Sequence, residues 1–408
     1  MFAWQDFQVT LEIYWTPHGA LPAKPGQTRK TACYHPPMDA FLTNESSCAL
    51  LRMARYCGTP RIDRCMARAP HIDEGSNVQW WRQAIRELAP ILGIDKNHPL
   101  CVQVPNSESR VTSPLVSSVV CSSLLPEDSY LTAELESPNH DLDHSFYAIE
   151  SAAHSFASLA RVLSSPLHAG GISFLQARAL LLSYGYELCG TYARDPMRPL
   201  TNECHYLIDA AATPIDIQDW CRARKGRSAV GIRLARACAQ DVKSGSASPA
   251  ETIHSIVFTS PPEYGGLGMG IGNVLLNETL RLEPKERLLM HRLPLTPDLT
   301  FPLLGGRVLE HQGSYHGFPL QHQEDASRVQ DYGALGRPVF MTSAADFSSP
   351  CAYDMFLRRF VNWVWKDMGP RIARPYQEIL DDPCLTDARY QLIETLSDRQ
   401  HDPWHWQR

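Results

Sequence analysis

The residues best suited to chemistry lie in and just before the stretch VLEHQGSYHG, residues 308–317. An acid, Glu310, ends an apolar run and is followed by the amide Gln312 and by His316, and Asp298 lies twelve residues before Glu310. Two carboxylates and an amide oxygen form the hard, oxygen-rich ligand set that suits Mg²⁺ or Mn²⁺. Such a cation activates a water and neutralises charge on a phosphodiester. The spacing therefore predicts a metal-dependent site for phosphate chemistry.

A hairpin is the element that must bring these groups together. The sequence of residues 293–313, LPLTPDLTFPLLGGRVLEHQG, predicts two strands joined by a Gly-Gly turn at 305–306. Side chains two residues apart on a strand point to the same face, so Glu310 and Gln312 share one face. We expect them to converge with Asp298 across the turn.

Further elements surround the predicted hairpin. The sequence SPAETIHSIVF, residues 248–258, predicts a helix with Ser248 at its N-cap and Glu251 in its first turn. Residues 248–368 predict the order helix, strand, strand, helix, strand, helix. Glu251 has two interpretations: it completes the metal site, or it is a carboxylate favoured by the helix N-terminus.

The motif PDLTFP followed by VLEHQG resembles the signature of the PD-(D/E)XK nuclease superfamily. Pro297 and Asp298 match its first part, and Glu310 and Gln312 match its second part. The resemblance implies a restriction-endonuclease-like domain, with a small mixed sheet flanked by helices. It also implies metal-dependent hydrolysis of DNA.

Two features downstream of the hairpin resemble the branch related to very-short-patch repair endonucleases and the DUF559 group. They are His316 and the acid and arginine of the following helix, Asp325 and Arg328. Each has a structural alternative. A lone histidine is commonly a hydrogen-bonded structural residue, and an acid and an arginine at i, i+3 commonly form a surface ion pair.

The resemblance assigns roles to the candidate site residues. It implies that Asp298 and Glu310 bind Mg²⁺ or Mn²⁺, that Glu251 completes the metal site, and that His316 acts as an acid, a base or a phosphate contact. Active relatives mostly carry lysine where this chain has Gln312, although some carry glutamine. Glutamine offers an amide dipole to the attacking water instead of a positive charge. A nuclease-derived module that binds nucleic acid without cutting is therefore the alternative.

The first part of the chain carries no chemistry of this kind. Its motif order, from LTNESSCALLR to GSASPAET, resembles that of bacterial proteins with an antitoxin-type regulator region in front of a nuclease-like domain. Helices are predicted over residues 42–56, 77–94, 145–163 and 173–184, and strands over 100–104 and 113–123. We therefore expect a mixed α+β region over 1–240, a nuclease-like domain over 241–370 and a C-terminal extension over 371–408, all within an α/β protein.

Composition narrows the class of protein. The 408 residues are 44% hydrophobic, which is enough for a sizeable core, and the formal net charge of −6 argues against a generally basic nucleic-acid-binding surface. A local basic segment remains at 222–236, with six Lys and Arg residues; it is either a phosphate contact or a solvated helix and loop. The twelve scattered cysteines, the lack of a leader pattern and the lack of a long apolar run predict a cytoplasmic protein with reduced thiols and no membrane span.

Together these features predict a Mg²⁺-dependent DNA endonuclease whose 1–240 region supplies target choice or a protein-partner surface. The alternative is a DNA-binding regulator of toxin–antitoxin or defence type that keeps the fold without cleavage. A protein-interaction module without a nucleic-acid partner is a third interpretation, since the acidic net charge is compatible with it.

Overall fold

The computed structural model describes most of the chain between residues 40 and 404. The described residues are 40–63, 78–104, 106–120, 125–126, 128–136, 144–165, 172–198, 201, 203–224, 231–291, 293–312, 319–397 and 402–404. Helices and several small sheets alternate along these residues, so the α/β class predicted from the sequence is confirmed at this coarse level.

The N-terminal elements combine helices with two sheets. One sheet has the strand order β1-β6-β5-β2, with β1 parallel to β6 and the other pairs antiparallel, and the second joins β3 and β4 in parallel. The elements are β1 (Ala40–Phe41), α1 (Asn44–Cys57), β2 (Arg61–Asp63), α2 (Val78–Leu92), β3 (Leu100–Val104), β4 (Val116–Val120), β5 (Tyr130–Glu136), β6 (His144–Glu150), α3 (Ala152–Leu163) and α4 (Phe174–Cys189).

Local signals at the helix ends explain why three of the predicted helices are confirmed. Thr43 is the N-cap of α1, and Gly58 ends that helix in the left-handed conformation. Ser173 and Gln176 form a reciprocal capping box at the start of α4. Helix α2 ends at Leu92, next to Gly93, which has a φ of 61°.

The helix predicted over 145–163 is wrong in its first part. Residues His144–Glu150 form β6, which pairs with β5 along its whole length, and the helix begins only at Ala152. Ser151 marks the change, because its side chain accepts a hydrogen bond from the backbone N–H of His154. Pairing between strands, and not the local apolar spacing, decides the conformation here.

The remaining elements form a hairpin, helices and a third sheet. They are β7 (Tyr192–Arg194), β8 (Cys204–Tyr206), α5 (Pro214–Ala223), α6 (Ile232–Ala239), α7 (Pro249–Thr259), β9 (Leu275–Leu276), α8 (Pro284–Arg287), β10 (Leu299–Phe301), β11 (Arg307–Gln312), α9 (Pro319–Ala334), β12 (Val339–Ser343), α10 (Pro350–Met368), α11 (Pro370–Asp381) and α12 (Pro383–Ser397). The third sheet has the order β12-β11-β10-β9, in which β10 is antiparallel to both neighbours and β11 is parallel to β12.

The order of elements predicted for residues 248–368 omits two elements that the structure contains. Strand β9 and helix α8 lie between α7 and β10, and neither is predicted. Both are short, at two and four residues, so neither is long enough to show a helical or alternating pattern.

The third sheet is packed on both faces. Leu309 on one face shares the main hydrophobic core with Phe258 of α7 and Phe360 of α10. Val308, on the other face, packs with Tyr332 of α9. Across the described residues that core draws members from before 240, from 241–370 and from after 370, and the predicted boundaries at 240 and 370 stay predictions. None of the described helices is long and apolar enough to cross a membrane.

Candidate active site

Strand register places the two predicted metal-binding acids beside each other. Leu299 pairs with Leu309 and Thr300 with Val308, so the same register continued by one residue sets Asp298 opposite Glu310. Side chains directly opposite on antiparallel strands have Cβ atoms about 5 Å apart. The carboxylate of Asp298 also accepts a hydrogen bond of 2.6 Å from the backbone N–H of His311. The structure thus brings Asp298 and Glu310 together at one end of the sheet.

Asn277 joins the third acid to this pair. Its backbone N–H donates to the carbonyl oxygen of Asp298 at 3.1 Å, and its side-chain amide donates to the Oε2 of Glu251 at 2.5 Å. The same amide donates to the carbonyl oxygen of Gly245 at 2.8 Å. Asn277 has a φ of 48°, a left-handed conformation that asparagine adopts more readily than most residues. Strand β9, which precedes Asn277, is therefore the unpredicted element that links α7 to the hairpin.

Glu251 lies at the start of helix α7 and also close to Asp298. Its backbone N–H donates to the side chain of Ser248, and its carboxylate accepts from the backbone N–H of Ala247, so it is bound at the start of α7. The carboxylate is also buried and close enough to Asp298 for repulsion between them to raise the pKa of Glu251. We call Glu251, Asp298 and Glu310 the carboxylate cluster.

Arg328 and Tyr332 hold Glu310 from helix α9. The guanidinium of Arg328 lies 3.0 and 2.9 Å from the two carboxylate oxygens, and the hydroxyl of Tyr332 donates at 2.7 Å. Arg328 was interpreted from the sequence as one half of a surface ion pair with Asp325, but here it binds a buried acid. The side chain of Asp325 lies outside the described part of the structure.

The electrostatics of the carboxylate cluster are unbalanced. Burial, and then repulsion from Asp298, raise the pKa of Glu251 to about 7. The same two causes raise the pKa of Glu310 to about 8, although Arg328 acts in the opposite direction. Three acids thus face one arginine. At neutral pH the cluster favours a shared proton or a bound cation over three ionised carboxylates beside one arginine.

Of the other two predicted site residues, Gln312 and His316, the structure describes Gln312. Gln312 lies at the exposed end of β11, where it pairs with Ser343 of β12. It follows Glu310 by two residues on the strand, so it shares that face at the edge of the cluster. His316 belongs to 313–318, which lie outside the described residues, so its predicted role stays a prediction.

His254 is a titratable residue near the carboxylate cluster that the sequence analysis did not identify. His254 is fully buried on α7, one turn after Glu251, and its Nδ1 lies 2.7 Å from the hydroxyl of Tyr353. Its ring centre is 6.0 Å from that of His311, and burial holds the pKa of His254 well below its usual value. The i, i+3 spacing from Glu251 was the available signal, because residues at that spacing share a helix face.

The donor set fits a divalent cation with partial protein ligation. Among the described residues no three His, Cys, Asp or Glu side chains are placed to hold a metal between them. Mg²⁺ does not need such a cage, because it is commonly bound by one or two carboxylates together with waters and substrate phosphates. Asp298 and Glu310, adjacent carboxylates that repel each other, are suited to that mode of binding.

No protein-family model, curated protein or solved structure matches this chain. The resemblance to PD-(D/E)XK nucleases is accordingly a prediction that depends on the residues themselves and on where the fold puts them.

Proposed function

We propose that this chain is a metal-dependent phosphodiester hydrolase that acts on DNA. The observation that carries the proposal is that Asp298 lies one residue before the paired part of β10, where the register of β10 and β11 sets it opposite Glu310, with Glu251 tied to them by Asn277. Two buried acids and one half-buried acid outnumber the arginines that bind them among the described residues, which favours a cation. A cation beside a pair of carboxylates suits phosphate chemistry.

The arrangement of the surrounding elements also supports the proposal. A small mixed sheet of four strands lies between α7 and α10 on one face and α9 on the other. This agrees with the small mixed sheet flanked by helices that the PD-(D/E)XK resemblance implies. Glu251 lies on the preceding helix, Asp298 directly before β10 and Glu310 on β11, and this order supports the resemblance.

In this proposal each residue has a defined task. Asp298 and Glu310 hold Mg²⁺ or Mn²⁺, and Glu251 adds negative charge beside them without completing a three-acid cage. The bound cation would supply Lewis-acid stabilisation of the phosphate and a more acidic water. Arg328 and Tyr332 fix the orientation of Glu310 through their hydrogen bonds. Gln312, at the open end of β11, orients the attacking water, and His316 stabilises or protonates the leaving side.

The alternative function is a DNA-binding regulator that keeps the fold without cleavage. Gln312 is the observation that favours it, because an amide cannot supply the positive charge that lysine gives to the attacking hydroxide or to the crowded phosphate. In either case the region before residue 241 supplies target choice or a surface for a protein partner.

The test is cleavage of supercoiled and single-stranded DNA by the purified protein with Mg²⁺ or Mn²⁺. We expect metal-dependent cutting that falls by about 100-fold or more in Asp298→Asn and Glu310→Gln, because each removes charge stabilisation at the phosphate. Glu263→Gln is the matched control, since Glu263 is an exposed acid of the same region outside the carboxylate cluster.

The possible results separate the candidate functions. Equal cutting by the parent protein and both cluster variants would show that the proposed site is wrong. Metal-independent DNA binding without cutting, unchanged in Asp298→Asn, would favour the regulator. Failure to bind DNA or RNA even at low salt would favour a protein-interaction module, because nucleic-acid affinity is strongest there.

A further inference from the structure

A separate cavity lies beside the carboxylate cluster, on the edge of the third sheet. Its volume is about 610 Å³, within the range of small-molecule sites. Its walls come from the segment after β9, from β10 with its turn, and from the end of α9. The lining residues are Leu275, Glu278, Thr279, Leu280, Arg281, Thr300, Pro302, Gly305, Gly306, Leu335, Gly336 and Arg337.

Two arginines give the cavity its charge. In the part of the chain that the structure describes, neither Arg281 nor Arg337 forms an ion pair with an acid, and Arg337 donates only a 3.3 Å hydrogen bond to the carbonyl oxygen of Gly306. The one acid among the lining residues, Glu278, is exposed, and its charge also attracts Lys243. The two guanidiniums are therefore available to an anion.

The turn between β10 and β11 makes room for one of these arginines. Gly306 has a φ of 73°, and a Cβ atom there would lie 2.8 Å from the Nη1 of Arg337. A side chain at this position would therefore displace the guanidinium from the wall. The Gly-Gly turn thus shapes the cavity as well as closing the hairpin.

A polar atom without a partner lies in the same wall. The side chain of Thr300 is 5% exposed, and its Oγ1 has no hydrogen-bond partner among the described residues. A buried hydroxyl without a partner is unfavourable, and because this oxygen is covered in the free protein, a ligand in the cavity bonds it only after the wall shifts to uncover it. Thr300 lies on β10, two residues after Asp298, so this wall of the cavity is close along the chain to the carboxylate cluster.

We propose that this cavity binds a nucleotide unit, with Arg281, Arg337 and Thr300 holding its phosphate group. Guanidinium groups match phosphate oxygens in geometry and charge. Leu275, Leu280 and Leu335 offer apolar surface for the sugar and base, and the volume exceeds what a lone phosphate needs. The unit is either part of a DNA strand or a free nucleotide. The first source rests on the proposed function, because it places a neighbouring nucleotide of the cut strand beside the carboxylate cluster.

The test measures binding without cleavage. In EDTA, a fluorescein-labelled single-stranded dT12 is titrated by anisotropy, and dTMP is titrated by calorimetry, with the full chain and with Arg281→Gln and Thr300→Val. We expect about 10-fold weaker binding for Arg281→Gln, equivalent to about 1.4 kcal/mol. Thr300→Val should weaken binding less, and it should leave thermal stability unchanged or raised, because it removes a hydroxyl that has no partner in the free protein. Arg374→Gln is the control, an exposed arginine of α11 that does not line the cavity.

The two ligands distinguish the two sources. Weakening for dT12 alone identifies a subsite for a DNA strand, and weakening for dTMP identifies a free-nucleotide site. If the parent protein binds neither ligand, or if both variants bind like Arg374→Gln, the proposal is wrong. A protein that cuts no DNA but shows the predicted dTMP pattern would refute the nuclease function and leave the cavity assignment standing.

Discussion

Two buried groups of charges in this molecule contrast sharply. In the first, Arg52 of α1 binds both carboxylate oxygens of Glu187, at 2.7 and 2.9 Å, and also binds Asp402 at 2.5 Å. Arg55 donates to the backbone carbonyl of Glu187, and its positive charge is close enough to attract the carboxylate of Glu187. That group holds two arginines and two acids. The carboxylate cluster holds three acids, and among the described residues Arg328 is the one arginine that binds it directly.

A further pairing follows the first pattern. Asp354 of α10 accepts hydrogen bonds from Arg358 and Arg389, and Arg358 also binds Asp381. Arginines and acids are again equal in number. Charge balance is therefore usual where these side chains join helices, and the carboxylate cluster departs from it. The difference suggests that the two balanced groups stabilise the fold, whereas the excess negative charge of the carboxylate cluster is available to bind a ligand.

The largest predicted effect is the loss of stability when Arg52 is removed from its group with Glu187 and Asp402. Arg52→Met should lower the free energy of unfolding by about 3 to 5 kcal/mol, because it leaves two buried carboxylates without their arginine. Urea unfolding followed by circular dichroism measures the change. Arg222→Met is the control: Arg222 pairs with Asp219 on the surface, so its loss should cost less than about 1 kcal/mol. Equal costs for the two variants would contradict the distinction between them.

The second prediction is a gain in the free energy of unfolding. Glu310→Gln should raise the free energy of unfolding of the metal-free protein by about 1 to 3 kcal/mol at pH 9, because it removes a buried charge that Asp298 repels. Glutamine keeps an oxygen that can accept from Arg328 and Tyr332. The measurement is again urea unfolding, in EDTA.

The pH dependence of that gain follows from the raised pKa of Glu310. The folded protein keeps its proton up to about pH 8, whereas the unfolded chain loses it near the usual value of 4.5, so the stability that protonation gives is complete below 4.5 and is lost as pH rises through 8. The gain from Glu310→Gln should therefore nearly vanish at pH 5. His254 does not disturb this comparison, because it is present in both proteins. A gain of the same size at both pH values would rule out the raised pKa as its cause.

The third prediction is smaller and concerns the link between helix and hairpin. Asn277→Gly keeps the left-handed backbone but removes the amide that bridges Glu251 and Gly245, so it should cost about 1 kcal/mol of stability. It should also weaken any cation binding that uses Glu251. Asn273→Gly is the control, since its amide bonds only the carbonyl oxygen of Met269, four residues earlier. A variant that is as stable as the parent protein would show that the bridge contributes nothing.

The sequence predicted the pairing of acids well because its cause is local. Asp298 lies three residues before the end of β10 and Glu310 three residues after the start of β11, so one hairpin brings them together. Arg328 was harder to interpret, because i, i+3 spacing favours Asp325 while the fold places Glu310 within reach. Asn277 follows a strand of only two residues, which leaves no pattern to detect. The partners of Arg52 lie 135 and 350 residues away, so no local signal could predict them.

The most direct test of the contrast is a titration of the carboxylate cluster with Mn²⁺ at pH 8, followed by calorimetry, in the parent protein and in Asp298→Asn. We predict binding by the parent protein that falls by about 10-fold or more in the variant, and that is weaker at pH 6 because protons compete for the same carboxylates. If the parent protein binds no Mn²⁺, or if Asp298→Asn binds it equally well, the carboxylate cluster is not a cation-binding site.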